Sequence, residues 1–208
     1  MNVERLIYED ALIAIGHVEE DISALINQLK NFEDYRSEYL QIKTDKRRME
    51  FLAARILLNE LTGRNVLVEY RNDKPFLKDN SLFISITHSK DYVAVITHHS
   101  FQTGIDLEIR NTRVSNIIGR FLNIREQKLF CLENSKIEIA WSAKEALYKI
   151  IGNIVRDFAA ELEIFQFELN ESGVIFVLHT SGSRIYKLRY YQNQIYTLVV
   201  CVDKKIKL

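Results

Sequence analysis

Thr103-Gly104-Ile105-Asp106-Leu107-Glu108-Ile109 alternates its side chains with a period of two. It reads as a β-strand with Ile105 and Leu107 on one face and Asp106 and Glu108 on the other. Downstream, helical spacing covers about 114–122, 125–132 and 136–151, and the tail returns to strands at 162–169, 174–179, 185–191 and 196–202. Upstream lie a strand at 11–15 and a helix within 19–29 that places Ile22, Leu25, Ile26 and Leu29 at helical spacing. A longer helix, capped by Asp45 and stopped by Gly63, carries Met49, Leu52, Ala53, Ile56 and Leu57 as its apolar stripe. Strands at 66–70, 82–87 and 92–97 follow. The expected class is α+β, in two similar lobes at 1–100 and 101–208, each a mostly antiparallel sheet packed with helices. Only Pro75 and seven glycines punctuate the chain, so no flexible linker separates the lobes.

Lys plus Arg and Asp plus Glu number 28 each in 208 residues, a formal net charge of zero. That disfavours a non-specific nucleic-acid binder, whose affinity comes from a basic excess. Hydrophobic residues at 47% and charged residues at 27% exclude wholesale disorder. Cys131 and Cys201, 70 positions apart, match no metal or redox spacing and fit a reducing compartment. Met1-Asn2-Val3-Glu4-Arg5 lacks the layout of a secretory leader, and no apolar run reaches the ~20 residues that span a bilayer. The expected setting is cytoplasmic, without a membrane or nucleic-acid partner.

Asp106 and Glu108 repel each other on their shared face unless a cation sits between them, and hard oxygen ligands of this kind suit Mg²⁺. The same triplet is also the pattern of an edge strand with a solvated acidic face. In Trp141-Ser142-Ala143-Lys144-Glu145-Ala146-Leu147-Tyr148-Lys149, Glu145 and Lys149 share a helix face with Trp141 one turn earlier. They form either an ordinary surface ion pair or a base and metal ligand beside a phosphate-holding lysine. Ile84-Ser85-Ile86-Thr87-His88-Ser89 runs a strand into a polar turn, without the Gly-x-Ser-x-Gly elbow that would make Ser89 a nucleophile. Lys46, Arg47, Arg48 and Arg55 sit on one predicted helix, with Arg48 and Arg55 close to one face, and Lys74 precedes Pro75. Such residues ordinarily make a solvated surface. No Walker or dinucleotide glycine pattern occurs, so any phosphate would be held by side chains and a metal.

The order of these segments carries more than any one of them. Arg47-Arg48-x-Glu50-Phe51-Leu52-Ala53-x-Arg55, Lys74-Pro75, Ser85-x-Thr87-His88-Ser89, Gly104-Ile105-Asp106-Leu107-Glu108 and Trp141-x-x-Lys144-Glu145-Ala146-x-x-Lys149 together resemble the 4′-phosphopantetheinyl transferase superfamily. More narrowly they resemble its two-lobed monomeric, surfactin-synthetase-activating type, from about Arg47 to Gly152. The resemblance implies a pseudo-duplicated fold with the active site at the lobe junction. It also implies transfer of the phosphopantetheine arm of coenzyme A to a serine of an apo acyl or peptidyl carrier protein, releasing adenosine 3′,5′-bisphosphate. Asp106, Glu108 and Glu145 would hold Mg²⁺ with the coenzyme's pyrophosphate, Glu145 could take the serine proton, and Lys149 would neutralise developing charge. Lys144, Lys74, Thr87, His88, Arg48 and Arg55 would bind the coenzyme, the last five at its 3′-phosphate and nucleotide end. Arg110, Arg113, Arg120 and Arg125 are docking candidates for an acidic carrier.

Three positions depart from the family pattern: Thr87 stands for serine, Asp73 for the glycine before Lys-Pro, and Gly152-Asn153-Ile154 for Gly-x-Gly. Two other functions fit the same carboxylates less well. A Mg²⁺-dependent nuclease or phosphodiesterase lacks the basic and aromatic stripe it needs. A non-catalytic carrier-binding module would not require Asp106, Glu108, Glu145 and Lys149 together.

Overall fold

A computed structural model describes residues 1–110, 112–130 and 133–205, apart from the side chains of Thr112, Arg113 and Ser115. The side chain of Arg113 and the whole of Cys131 thus lie outside the described residues. Chain contacts divide the protein into two compact units, Met1–Ser100 and Phe101–Leu208.

In the first unit, β1 (Asn2–Tyr8) and β2 (Ala11–His17) precede α1 (Ile22–Gln28), α2 (Phe32–Leu40) and α3 (Asp45–Thr62). The hairpin β3 (Val68–Arg71) and β4 (Lys74–Leu77) then leads to β5 (Phe83–Ser89) and β6 (Tyr92–His98). An antiparallel sheet of order β1-β2-β6-β5 carries α3 across β2 and β6. The apolar stripe Leu52, Ala53, Ile56 and Leu57 is buried with Ala14, Val93 and Val95. Thr44 rather than Asp45 caps α3, accepting the Arg47 N–H, and Gly63 stops the helix in the left-handed region at φ 67°.

β1, α2 and β4 are additions to the sequence reading. Both extra hairpins turn on dipeptides without glycine: Glu9-Asp10 at φ 48° and 69°, and Asn72-Asp73 at φ 50° and 63°. Asparagine and aspartate tolerate this conformation at three of the four positions, Glu9 being the exception, so the turns form without the glycine signal. Asp73 therefore adopts the geometry a glycine would supply and delivers Lys74 as the first residue of β4.

In the second unit, β7 (Thr103–Ile109) is followed by a 3-10 turn (Thr112–Ile117), α4 (Ile118–Phe121), α5 (Ile124–Phe130), α6 (Asn134–Ile151) and α7 (Phe158–Glu161). Then come β8 (Leu162–Ile164), β9 (Ser172–His179), β10 (Arg184–Gln192) and β11 (Tyr196–Val202). The five strands form an antiparallel sheet of order β7-β11-β10-β9-β8, which leaves β7 at an edge. Helix α6 lies over β7 and β11 and buries Ala143, Ala146, Leu147 and Ile150 in a core with Leu188, Tyr190 and Val199. The helix expected at 114–122 is instead the 3-10 turn followed by a single α turn, and the strand expected at 162–169 shortens to three residues. The class is α+β, with antiparallel sheets packed by helices, as expected. No helix among the described residues is long and apolar enough to cross a membrane.

Candidate active site

Gly104 and Asp106, two apart on β7, project toward the face covered by α6. A Cβ on Gly104 would lie 1.9 Å from the Ala146 carbonyl oxygen, so the helix backbone rests on the strand only because position 104 has no side chain. Two side chains fasten the helix there. Lys149 Nζ donates to Ile105 O at 2.6 Å and to Asp106 Oδ1 at 3.0 Å, while Trp141 Nε1 donates to Glu108 Oε1 at 3.3 Å. Trp141, Glu145 and Lys149 recur at every fourth position along one helix face, which sets Glu145 between the two fastened points.

Asp106 is buried and Glu145 half-buried. Burial pushes the Glu145 carboxyl up to about 7; the like charge of Asp106 pushes the same way, Lys149 opposes it, and Glu108 adds a smaller push. Among the described residues, no three His, Cys, Asp or Glu side chains already stand close enough to enclose a metal ion. The donor set nevertheless fits a hard divalent cation. It is oxygen-only, it is crowded enough to drive one carboxyl toward neutrality, and Mg²⁺ commonly takes only one or two carboxylates, completing its shell with water and phosphate oxygens.

Beside Glu145 opens a cleft of about 550 Å³, lined also by Ile117, Arg120, Trp141, Arg156 and Phe158. The cleft sets the guanidinium groups of Arg120 and Arg156 beside the carboxyls of Glu145 and Asp157, between an indole and a phenyl wall. The Glu145 carboxyl, raised to about 7, can accept a proton near neutral pH. Arg120 was a docking candidate in the sequence. Arg156 belongs to no motif, and only the fold brings it to the cleft. Of the other docking candidates, Arg110 pairs with Glu138 at 3.4 Å and Arg125 with Glu163 at 2.8 Å.

Lys144 is placed otherwise than expected. It is 0% exposed, and its ammonium donates to Phe121 O at 2.6 Å, Glu126 Oε2 at 2.8 Å and Phe158 O at 3.1 Å. Burial pulls it below the ordinary lysine range, against the pull of Glu126. A group so enclosed does not reach a coenzyme phosphate. Its neighbour Glu145 points the other way because adjacent helix positions face apart.

Arg55 is a second correction. At 1% exposure it lies over the Phe51 ring at 3.3 Å and the Tyr35 ring at 4.7 Å, and pairs with Glu38 at 3.3 Å. Arg48, on the same face, donates to Ile42 O at 3.0 Å and lies over Tyr39 at 5.3 Å. The shared face inferred from their spacing is real, and α2 and the segment after it occupy it.

His88, near the end of β5, makes a different cluster. Arg47 approaches its Nε2 at 2.6 Å, Glu50 lies 3.4 Å from its Nδ1, and Arg47 is 2.8 Å from Glu50. Arg47 can donate to Nε2 only when the ring carries its proton on Nδ1, the nitrogen facing Glu50. Arg47 and Glu50 stood in the motif but outside the expected binding set; their i, i+3 spacing was the available signal. Thr87 is buried beside His88, and Lys74 is exposed, with partial burial lowering its ammonium from the usual range.

Residues 102–201, which hold β7 and α6, match the family model described as the 4′-phosphopantetheinyl transferase superfamily. No curated protein matches the chain.

Proposed function

We propose that this chain, whose residues 102–201 match the 4′-phosphopantetheinyl transferase superfamily model, moves the 4′-phosphopantetheine arm of coenzyme A to a serine of an apo carrier protein. The serine oxygen attacks the phosphorus that bears the arm, the pyrophosphate bond breaks, and adenosine 3′,5′-bisphosphate leaves with the electron pair. The serine proton passes to Glu145, directly or through a water. Lys149, already held over the strand at Ile105 and Asp106, offsets negative charge on the breaking pyrophosphate. Asp106, Glu108 and Glu145 would hold Mg²⁺, which when bound would supply neutralisation of phosphate charge.

Arg120 and Arg156 receive the acidic surface of the carrier, and the cluster of His88 with Arg47, together with Lys74, takes the nucleotide's 3′-phosphate. The observation that carries this reading is the fastening of α6 to β7, which gathers three carboxylates and one ammonium within the segment matched to the superfamily. Intact-mass spectrometry tests it. An apo acyl carrier protein incubated with this protein, coenzyme A and Mg²⁺ should gain one phosphopantetheine arm, and chelation should abolish the gain. Absence of both the gain and any coenzyme A binding would remove the reading.

A further inference from the structure

The chain's one tryptophan stands where polar and aromatic contacts meet. Its indole N–H reaches Glu108, and its ring is flanked by Phe121, edge-on at 5.1 Å between centroids, and by Phe158 at 6.3 Å. The flanking rings come from α4 and α7, each only four residues long. Helices that short have no stability of their own and take their position from what holds them.

One side chain holds both. Lys144 Nζ bonds the backbone carbonyl of Phe121 on α4 and that of Phe158 on α7. Its third bond is to Glu126, and the two side chains are both 0% exposed. The Glu126 oxygens also accept the N–H groups of Asn123 and Ile164, at 2.8 Å each, which ties the pair to the start of α5 and to β8. An ion pair this deep adds little net stability over apolar side chains of the same shape, so stability alone does not account for it. An apolar side chain could not, however, bind two carbonyls from separate segments at once.

We infer that the Lys144–Glu126 pair positions Trp141: by fixing the backbones of Phe121 and Phe158 it clamps the rings that bracket the indole, and through the indole it orients Glu108. Lys144 is thus a positioning residue that touches no substrate. The inference concerns the interior of the second unit and does not depend on the transfer reading, because Trp141 reports on it without any ligand.

The test is the fluorescence of Trp141 in Lys144→Met, which keeps the length of the side chain and removes its three donors. Circular dichroism and a cooperative melt establish that the variant is folded. The expected result is a red-shifted emission and a rise in quenching by iodide, as the unclamped rings uncover more of an indole that already borders the cleft. Lys144→Arg is the second variant; it keeps a positive charge beside Glu126, but its planar fork does not reproduce the three directions of an ammonium. It should give a smaller shift of the same sign. Wild-type emission and quenching in either folded variant would overturn the inference. Failure of both variants to fold would also overturn it, by making the pair a requirement for folding.

Discussion

The backbone of α6 at Ala146 rests directly on Gly104 of β7, with no room for a single carbon between them. This one contact sets how far every functional group on the helix stands from every group on the strand. Gly104→Ala forces the helix off by more than a rotamer change can absorb, since the obstructing atom is a carbonyl oxygen. A loss of about 2–4 kcal/mol is expected, at the upper end for overpacking, and urea unfolding measures it. Transfer should fall further than the unfolded fraction explains, because Lys149 and Trp141 lose their reach to Asp106 and Glu108.

Glu145 gives the metal-free protein a defined pH response. Its carboxyl is raised from 4.5 to about 7 in the folded chain, so the folded state binds more protons than the unfolded state between those values. The stabilising contribution of the protonated form is therefore complete below about 4.5 and is lost as pH rises through about 7. Thermal melts in chelator from pH 5 to 8 should show stability declining by up to a few kcal/mol, discounted for the group's partial exposure. Glu145→Gln should flatten that slope and match or exceed the wild type at pH 8, while transfer is lost.

How much of this was legible before the fold differs from one residue to the next. Asp106 and Glu108 could be placed on one face because a strand has a period of two, and β7 has the bounds read from its alternation. Glu145 and Lys149 followed from the helical period in the same way. Lys144 could not be read: being buried depends on α4, α5 and α7, which are short segments with no periodicity of their own, closing around it. Arg55 is hidden for a related reason: its spacing from Arg48 sets the shared face, but Tyr35 and Tyr39 of α2, a helix with no strong periodic signal, cover it. Periodicity reports which residues share a face and is silent on what covers it.

Arg55 and His88 should consequently separate in a kinetic assay. Arg55→Ala removes a guanidinium stacked on Phe51 and Tyr35 and leaves Glu38 without that partner. A destabilisation of about 2–4 kcal/mol is expected from the lost packing and buried charge, with the coenzyme A KM unchanged in the fraction that folds. His88→Ala should do the reverse, raising the coenzyme A KM about tenfold with little change in melting temperature, since the ring is partly exposed. Equal effects of the two substitutions on KM would return Arg55 to the binding set.

Asp106→Asn isolates the charge at the centre of the site. Two stability effects oppose each other: the attraction of Lys149, 3.0 Å away, is lost, and the repulsion of Glu145 is relieved. Lys149 keeps its bond to Ile105 O, so its ammonium is not left without a partner. The melting temperature should therefore stay within a few degrees of wild type, as it would not if Asp106 served only as half of a structural ion pair. Transfer has no such compensation, because an amide neither carries the charge that holds a divalent cation nor sustains the field on Glu145. A fall of at least ~100-fold is expected in single-turnover transfer. The pH slope attributed to Glu145 should shrink in the same variant, and an unchanged slope would separate Asp106 from Glu145 electrostatically.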